Sequence, residues 1–304
     1  MGKRKSGLDV HGIVLLDKRL GISSNRALQE VRRLFNANKA GHTGSLDPLA
    51  TGLLPLCFGE ATKVSALMLD DDKRYQVEVR LGVMTDTGDA EGGVIKTCPV
   101  PALTTARIEA CLDRFTGSIE QVPPMYSALK HEGKKLYELA REGKIIERKA
   151  RRITIFELKL LGFTDDRLTL DVFCSKGTYI RSLAEDIGHA LDSCGTVTVL
   201  RRLQAGQFSL CEAKTIEQLA AMDGQSLANC LIPVDAPLVA IPAVRLSEAE
   251  AKSIKYGQSI NTEKHPLGVV RLYHGALFLG LGEMLLDGKI APKKLFNMGN
   301  QPHG

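Results

Sequence analysis

The pattern that most restricts the fold is a set of strand-like segments that follow one another without an intervening helix. Apolar and polar residues alternate strictly over residues 75–81, which predicts a half-buried strand. Residues 153–163 and 167–174 also have the character of strands, and the short polar segment Thr164–Asp166 between them predicts a hairpin turn. Because hairpins of this kind join antiparallel strands, the sequence favours a sheet that is largely antiparallel.

Helical spacing of apolar residues occurs between these strands. It predicts helices near residues 24–35, 108–115, 134–141 and 178–191, and a further strand at 196–200. Interleaved hairpins and helices are typical of an α+β domain built on a mixed, largely antiparallel sheet, and they argue against a regular βαβ repeat.

The composition of the chain changes near residue 240. Three prolines fall within residues 233–242, and a short helical pattern and two short apolar segments follow. We therefore predict one domain over residues 1–240 and a second over residues 241–304. A unit of this size is marginally stable alone, so we expect it to pack against the first domain.

The overall composition excludes several classes of protein. Of the 304 residues, 44% are hydrophobic and 25% are charged, which excludes a wholly disordered chain. No apolar run approaches the roughly 18 residues of a membrane helix. The basic start of the chain lacks the apolar core of a secretory signal, so we expect a cytoplasmic protein without a membrane partner.

The cysteines predict neither a zinc site nor a disulfide framework. Their number is odd, no pair has the C-x-x-C spacing, and buried free thiols are the expected state of all seven: Cys57, Cys98, Cys111, Cys174, Cys194, Cys211 and Cys230.

The net charge of +5 is weak evidence for a polyanionic partner, but the basic residues recur as pairs and clusters. If these clusters share one face they form a track for phosphates; otherwise each is an ordinary solvated surface. Trp is absent and only 5% of residues are aromatic, which argues against a broad platform for base stacking.

The loop over residues 41–52 is rich in Gly and Pro and follows neither the helical nor the strand period. Its glycines permit close approach of a ligand, and its prolines stiffen the chain around Asp47. A carboxylate held in this way suits a nucleophile or a general base. On these residues alone, an Asp that caps a turn is the more common explanation.

Other catalytic classes lack their motifs. The sequence contains no P-loop, no G-x-G-x-x-G after a strand and no Gly-x-Ser-x-Gly elbow. Two acidic segments, 70–72 and 86–91, lack the spacing of an EF-hand, so we expect solvated acids there. No His-x-x-x-His pair predicts a catalytic zinc. We therefore expect no metal.

The segment from Gly41 to Pro55, GHTGSLDPLATGLLP, resembles the signature loop of the TruB family of tRNA pseudouridine synthases. The other blocks that resemble the family occur in order over residues 12–208: LDK with GISS at 16–24, DKRY with LG and TDTGD at 72–89, QVPPMYSALK at 121–130, YELAREG at 137–143, CSKGTYIRSL at 174–183 and LRR at 200–202. The tail resembles a PUA domain, a small RNA-binding pseudo-barrel.

The resemblance implies the pseudouridine synthase fold with a C-terminal PUA-like β pseudo-barrel, and an isomerase that needs no cofactor. It implies that the uridine at position 55 in the T-loop of tRNA is flipped out and converted to pseudouridine. Asp47 would be the nucleophile, attacking either the sugar or C6 of the base, and Arg181 would orient its carboxylate. A buried pair of this kind would keep Asp47 ionised.

Several side chains would surround the flipped base. Tyr75 would stack on it and could relay a proton, Tyr179 would help to position Arg181, and Leu200 would form the floor of the uracil pocket. For each of these three, ordinary core packing is the alternative explanation. His42 would replace stacking lost by the extruded bases, although a structural histidine is the alternative.

The resemblance also suggests how tRNA is held. Candidate phosphate contacts are Lys18, Lys63, Lys130, Arg141, Arg201 and Arg202. The tail would hold another part of the tRNA, such as the acceptor stem, and we expect a monomer without an obligate protein partner. Two other functions stay open: a non-catalytic module that unfolds and refolds tRNA, and a guide-RNA-dependent relative acting on ribosomal RNA.

Overall fold

The computed structural model describes residues 7–261 and 267–298 of the chain. Its strands are β1 (Gly12–Lys18), β2 (Ala40–His42), β3 (Ala50–Phe58), β4 (Lys73–Leu81), β5 (Val83–Thr85), β6 (Val94–Thr97), β7 (Gly117–Gln121), β8 (Lys130–His131), β9 (Lys134–Lys135), β10 (Arg151–Phe163), β11 (Arg167–Cys174), β12 (Gly195–Ala205), β13 (Phe208–Ser209), β14 (Ala243–Arg245), β15 (Ile260–Asn261), β16 (Gly268–His274), β17 (Leu277–Met284) and β18 (Lys289–Leu295).

Eight α-helices and three 3₁₀ turns connect the strands of the described chain. The α-helices are α1 (Ser24–Leu34), α2 (Ser65–Leu69), α3 (Thr105–Asp113), α4 (Leu136–Arg141), α5 (Ile180–Ala190), α6 (Ile216–Ala220), α7 (Gly224–Asn229) and α8 (Glu248–Lys255). The 3₁₀ turns are Gly59–Lys63, Leu210–Glu212 and Ala236–Leu238.

The main sheet has the strand order β1-β3-β12-β4-β11-β10-β7, with β2 added to β3 and β13 added to β12. Within the described residues, β3 and β12 are its parallel pair and the other neighbours run antiparallel. The predicted α+β architecture with a mixed, largely antiparallel sheet is confirmed. The parallel pair matters for function because it places β12 beside the strand that follows the Asp47 loop.

The predicted hairpin of β10 and β11 is confirmed, and β4 begins two residues before the alternating segment. Some boundaries were wrong, including the first two residues of the predicted helix 134–141, which form β9. Strand β12 continues five residues beyond 200, because the polar residues that follow pair with β4 and hide the apolar pattern of a strand. The loop predicted over 41–52 is strand at both ends, in β2 and β3.

Helices α1, α3 and α5 cover one face of the main sheet. Helix α1 begins where the Ser23 side chain accepts a hydrogen bond from the Arg26 backbone N–H, and its buried face includes Ala27 and Val31. Helices α3 and α5 bury their apolar faces in the same core. The residues of β4 that point to the other face, Gln76 and Arg80, are exposed.

The C-terminal unit is a five-stranded sheet in the order β14-β16-β17-β18-β15, with α8 packed on β15, β16 and β18. Phe278 and Phe296 enter a second apolar core together with Ile13, Leu53 and other residues of the N-terminal unit. This confirms that the tail packs against the rest of the chain, as its small size requires. The division at residue 240 stays a prediction.

The expectation of seven free thiols was wrong for one pair. Cys98 and Cys194 form a disulfide across a sequence separation of 96 residues. The backbone around Gly82 brings them together, because Gly82 donates to the Cys194 carbonyl and its own carbonyl accepts from Cys98. A contact between residues so far apart in sequence leaves no local signal. The other five cysteines are free, and Cys211 is exposed rather than buried.

Among the described residues, no helix combines the length and apolar character needed to cross a membrane. Within the same part of the chain, no group of three or more His, Cys, Asp or Glu side chains is arranged to hold a metal ion. The basic residues 3–5 lie outside the described residues.

Candidate active site around Asp47

The loop between β2 and β3 is held rigidly by its neighbours. The Ser24 hydroxyl at the start of α1 bonds both the backbone N–H of Leu46, at 2.7 Å, and its carbonyl, at 3.0 Å. On the other side of Asp47, the Pro48 carbonyl accepts from the Gly21 backbone at 2.9 Å. These contacts fix the backbone on both sides of Asp47, as the Gly- and Pro-rich sequence of the loop led us to expect.

Asp47 and Arg181 form an ion pair. Arg181 lies in the first turn of α5 with a side chain that is 8% exposed, and its Nη2 is 3.0 Å from Oδ2 of Asp47. The same guanidinium donates to the carbonyls of Thr87, at 2.8 Å, and Tyr126, at 2.7 Å. Nη1 is also 3.7 Å from Oδ2 of the buried Asp89. The predicted contact is confirmed, and Arg181 is aimed at Asp47 by three further oxygens.

The Asp47 carboxylate is more exposed than we expected, and its pKa is raised. Its side chain is 44% exposed, so one side of the carboxylate is open to an incoming group. Partial burial raises the pKa of Asp47 above its ordinary value, and the nearby Asp89 adds to this rise. The Arg181 and Lys18 cations act in the opposite direction. Desolvation outweighs the two cations, so the pKa of Asp47 lies above its ordinary value, and the expectation that the pair keeps Asp47 ionised stays a prediction.

Two tyrosines lie near this ion pair. Tyr75 is half-buried on β4, where it pairs with Val172 on one side and Arg202 on the other. Burial raises the pKa of Tyr75, while the Arg202 cation lowers it. Tyr179 immediately precedes α5, and burial raises the pKa of its hydroxyl as well. Both phenols experience the charge of Asp47, so the structure brings the predicted residues together.

Leu200 and His42 lie on strands beside the Asp47 loop. Leu200 is 7% exposed and pairs with Ala50 and Val77, so it forms part of the apolar core under this region. His42 is half-buried on β2, and its Nδ1 is buried without a hydrogen-bond partner among the described residues. Burial and the Arg202 cation lower the pKa of His42, which favours the neutral imidazole.

Two predicted phosphate contacts are at odds with the structure. Lys18 is fully buried, and its Nζ donates to the carbonyls of Arg19 at 3.0 Å, Ile22 at 2.8 Å and Pro48 at 3.5 Å. Burial lowers the pKa of Lys18 to about 8. Arg202 is 1% exposed and bonds backbone carbonyls as well. A phosphate in solvent cannot reach either cation, and both instead hold backbone around Asp47.

Two further predicted contacts are already occupied. Arg201 is half-buried and forms an ion pair with Asp17 at 2.7 Å. Lys63 forms an ion pair with Glu60 and donates to the Leu295 carbonyl at 2.8 Å, so it joins the N-terminal unit to the C-terminal one. Because Arg201 and Lys63 already have partners within the protein, neither is free to bind RNA phosphate.

Lys130 and Arg141 remain as exposed cations. Neither forms an ion pair with an acidic residue in the described part of the chain, and the Arg141 guanidinium lies 5.5 Å from the centre of the Tyr137 ring. They belong to one segment, from β8 to the end of α4, and none of the contacts described there joins them to Asp47.

Two positioning residues were missed by the analysis of the sequence. The buried Asp89 was treated as a solvated acid of a polar loop, although it lies in the TDTGD block. The Gln121 side chain donates to the Tyr179 carbonyl at 3.1 Å and accepts from its N–H at 2.8 Å. The quoted sequence blocks were the only signal for either residue, because both contacts cross long stretches of chain.

Comparison with known proteins identifies the family. Residues 32–180 match the TruB family pseudouridylate synthase N-terminal domain, residues 181–239 the tRNA pseudouridylate synthase B C-terminal domain, and residues 242–296 the pseudouridine synthase II TruB C-terminal domain. The chain belongs to the TruB family of pseudouridylate synthases. The resemblance seen in the signature loop therefore extends over almost the whole chain.

Curated relatives cover nearly the full length. The chain is 52% identical over 300 residues to tRNA pseudouridine synthase B of Chromohalobacter salexigens, covering 98% of each chain. It is 53% identical to the protein of the same name from Pseudomonas putida strain GB-1, covering 94% of this chain and 96% of that one.

Solved structures share the TruB-family fold. A chain in a Cbf5-Nop10-Gar1 complex matches with a TM-score of 0.71 at 21% identity, covering 94% of this chain and 84% of that one. A chain in an H/ACA RNP bound to a substrate RNA matches with a TM-score of 0.70 at 20% identity, covering 98% and 92%. This confirms the predicted pseudouridine synthase fold with its C-terminal PUA-like unit.

Proposed function

We propose that this protein isomerises uridine to pseudouridine in tRNA, at position 55 of the T-loop. The observation that carries the proposal is the Asp47 carboxylate, held in a rigid loop and paired with Arg181 at 3.0 Å while one side stays open. The names of the curated relatives point to the same reaction and the same class of RNA.

The proposed reaction breaks the bond between N1 of uracil and C1′ of the ribose and forms a bond from C5 to C1′. C5 loses its proton and N1 gains one, so the product has the same atoms and oxidation state as the substrate. Asp47 supplies the nucleophile, at C1′ or at C6, and its bond to the substrate is broken again before the product leaves. Its partial burial places it where a flipped uridine is shielded from water, and Arg181 keeps the carboxylate oriented.

The remaining site residues receive the flipped nucleotide. Tyr75 stacks on uracil and is the candidate for moving the C5 proton, and Tyr179 closes the other side of the site. Leu200 provides the apolar floor, and His42, kept neutral by burial, stacks on bases that lose a neighbour when the uridine leaves. Extrusion costs a few kcal/mol, which these contacts offset.

The proposed tRNA surface combines two regions. Lys130 and Arg141 are exposed and contact phosphates of the T-arm, while the C-terminal unit contacts the acceptor stem. A domain division at residue 240 would separate these two roles. Since the T-arm and acceptor stem belong to one tRNA, a monomer without a protein partner is sufficient, and we infer that it acts in the cytoplasm.

The two rival functions make different demands on the site. A module that only refolds tRNA does not need the open carboxylate and its aimed guanidinium. A guide-RNA-dependent enzyme would need a second RNA to select its target. The high identity to proteins named tRNA pseudouridine synthase B favours direct modification of tRNA over both rival functions.

The decisive experiment is to incubate the purified full-length protein with an unmodified T-arm hairpin and with an unmodified tRNA transcript. Pseudouridine is then mapped by carbodiimide treatment and primer extension. We expect modification at the T-loop uridine without any added RNA or protein. Binding without product would support the refolding module, and product that requires a guide RNA would support the third function.

A further inference from the structure

Arg202 is a buried cation without an acidic partner. It is 1% exposed, and among the described residues no carboxylate forms an ion pair with it. Its sequence neighbour Arg201 is paired with Asp17 instead. A guanidinium removed from water is costly unless its donors are satisfied. The acceptors of its hydrogen bonds therefore indicate the role of Arg202.

Those hydrogen bonds, together with the position of Arg202 on β12, connect three parts of the active site. Nε donates to the Leu53 carbonyl at 2.7 Å, and Nη2 donates to the Gly44 carbonyl at 3.0 Å. Tyr75 is the register partner of Arg202 on the neighbouring strand β4. Gly44 lies in the loop that carries Asp47, three residues before it. One planar group thus bonds the Asp47 loop and the strand that follows it, on the strand next to Tyr75.

The backbone register explains how the Arg202 guanidinium comes to lie beside the Asp47 loop. On β12, Arg202 pairs with Gly52 of the parallel strand β3 and with Tyr75 of the antiparallel strand β4. Gly52 has a φ of +97°, and a Cβ on it would lie 2.3 Å from the Arg202 carbonyl oxygen. The glycine lets the strands approach so closely that the guanidinium reaches under the loop.

We propose that Arg202 is a positioning residue that fixes the Asp47 loop against β3 and next to Tyr75. The inference rests on the proposed pseudouridine formation. It assigns Arg202 to the geometry of the reaction and not to phosphate binding. A lysine could keep the charge, but it lacks the planar set of donors that bonds the Leu53 and Gly44 carbonyls at once.

The first test is the variant Arg202→Lys, assayed under steady-state conditions over a range of concentrations of unmodified tRNA. We expect kcat to fall by about 10- to 100-fold, because a small displacement of catalytic groups has that effect. The tRNA affinity should change less than about 2-fold, since no phosphate contact is lost. A wild-type kcat, or a loss that appears only in KM, would overturn the proposal.

The matched control is Arg74→Lys. Arg74 precedes Tyr75 on β4 and bonds Asp171 at 2.6 Å on the opposite face of the sheet. We expect wild-type turnover from this variant. If the wild-type protein forms no pseudouridine at all, the proposed function is refuted. That outcome differs from a wild-type kcat in Arg202→Lys, which refutes only the role of Arg202.

The second test asks whether Arg202 acts through Tyr75. In a Tyr75→Phe background the hydroxyl is already absent, so Arg202→Lys should reduce kcat by a smaller factor than in the wild type. Equal factors in the two backgrounds would show that the residues act independently, which contradicts the proposal.

A third measurement leaves Arg202 intact, in case its variants do not fold. The Nε–H of a buried arginine gives a resolved signal in ¹⁵N-labelled protein. We expect the assigned Arg202 signal to shift in Tyr75→Phe but not in Tyr256→Phe, an exposed tyrosine of the C-terminal unit. An unchanged Arg202 signal in Tyr75→Phe would show that the guanidinium does not lie next to Tyr75, which contradicts the proposal.

Discussion

Two groups of cations in this protein look alike in sequence and differ completely in structure. Lys18, Arg181 and Arg202 are buried, and each donates to at least two backbone carbonyls around the Asp47 loop. Lys130 and Arg141 are exposed and form no ion pair within the described residues. The buried cations hold the backbone of the site in place, whereas the exposed cations are accessible to a substrate.

The difference shows what a positive charge can do in each place. A buried cation must be satisfied by fixed oxygens, so it makes the surrounding backbone rigid. An exposed cation keeps its hydration and contributes mainly to attraction of a polyanion. We therefore expect changes in the buried group to affect the chemical step and stability, and changes in the exposed group to affect tRNA binding.

The largest expected effect comes from Asp47, the group that the buried cations surround. Asp47→Asn removes the nucleophile but preserves the shape of the side chain, so turnover should fall by at least about 10³-fold. Binding of tRNA, measured by filter retention, should stay within a few-fold of wild type. The exposed Asp113→Asn is the control. Near-normal turnover by Asp47→Asn would disprove its assigned role.

The next largest effect is expected at Arg181. Arg181→Lys keeps the charge but cannot contact Asp47 and the carbonyls of Thr87 and Tyr126 together, so kcat should fall by about 10²-fold. In Arg181→Gln the cation that lowers the pKa of Asp47 is lost. The acidic limb of the pH–rate profile should then move to higher pH, because Asp47 must be ionised to react.

Single-turnover rates between pH 5 and 8 measure both changes at Arg181. Arg107→Lys is the control, because Arg107 forms an exposed ion pair with Asp192. An acidic limb that is the same in Arg181→Gln and in the wild type would contradict the electrostatic link between Arg181 and Asp47.

The third effect concerns stability. Burial lowers the pKa of Lys18 from 10.5 to about 8, so between these values the unfolded state binds more protons than the folded state. The free energy of unfolding should therefore rise with pH across this window, by up to about 3 kcal/mol from this residue. In Lys18→Met this part of the rise should be absent.

Urea unfolding at pH 7.5, 9 and 10 measures the stability difference. Groups other than Lys18 titrate in both proteins, so the informative quantity is the difference between wild type and Lys18→Met at each pH. Lys159→Met, at a surface lysine paired with Glu157, serves as the control. A difference that does not change with pH would show that Lys18 is not held with a lowered pKa.

The smallest effect is expected from the exposed cations. Lys130→Gln and Arg141→Gln should each weaken tRNA binding by a few-fold and leave kcat unchanged. Each lost phosphate contact should also reduce the slope of log affinity against log salt by about 0.7–0.9. Lys159→Gln should leave that slope unchanged. A loss of kcat in Lys130→Gln or Arg141→Gln would contradict the assignment of the exposed cations to binding alone.

Sequence reasoning recovered the parts of the fold that have a local signal. The alternation in β4 and the helical spacing in α1 each depend on neighbouring residues, so both elements were found correctly. The pairing of Asp47 with Arg181 was found because two family-like blocks supplied both residues. No pattern within either block shows that they meet, since 134 residues separate them and only the packing of α5 beside the loop joins them.

The errors share one physical cause. Lys18 and Arg202 were predicted to contact phosphates, which requires exposure, but both are buried. Cys98 and Cys194 were predicted to be thiols because no spacing connects them. Local sequence determines which segments become strands, helices and rigid turns. Whether a given charge faces solvent or lies satisfied among carbonyls depends on atoms from distant segments, and only the packed tertiary structure decides it.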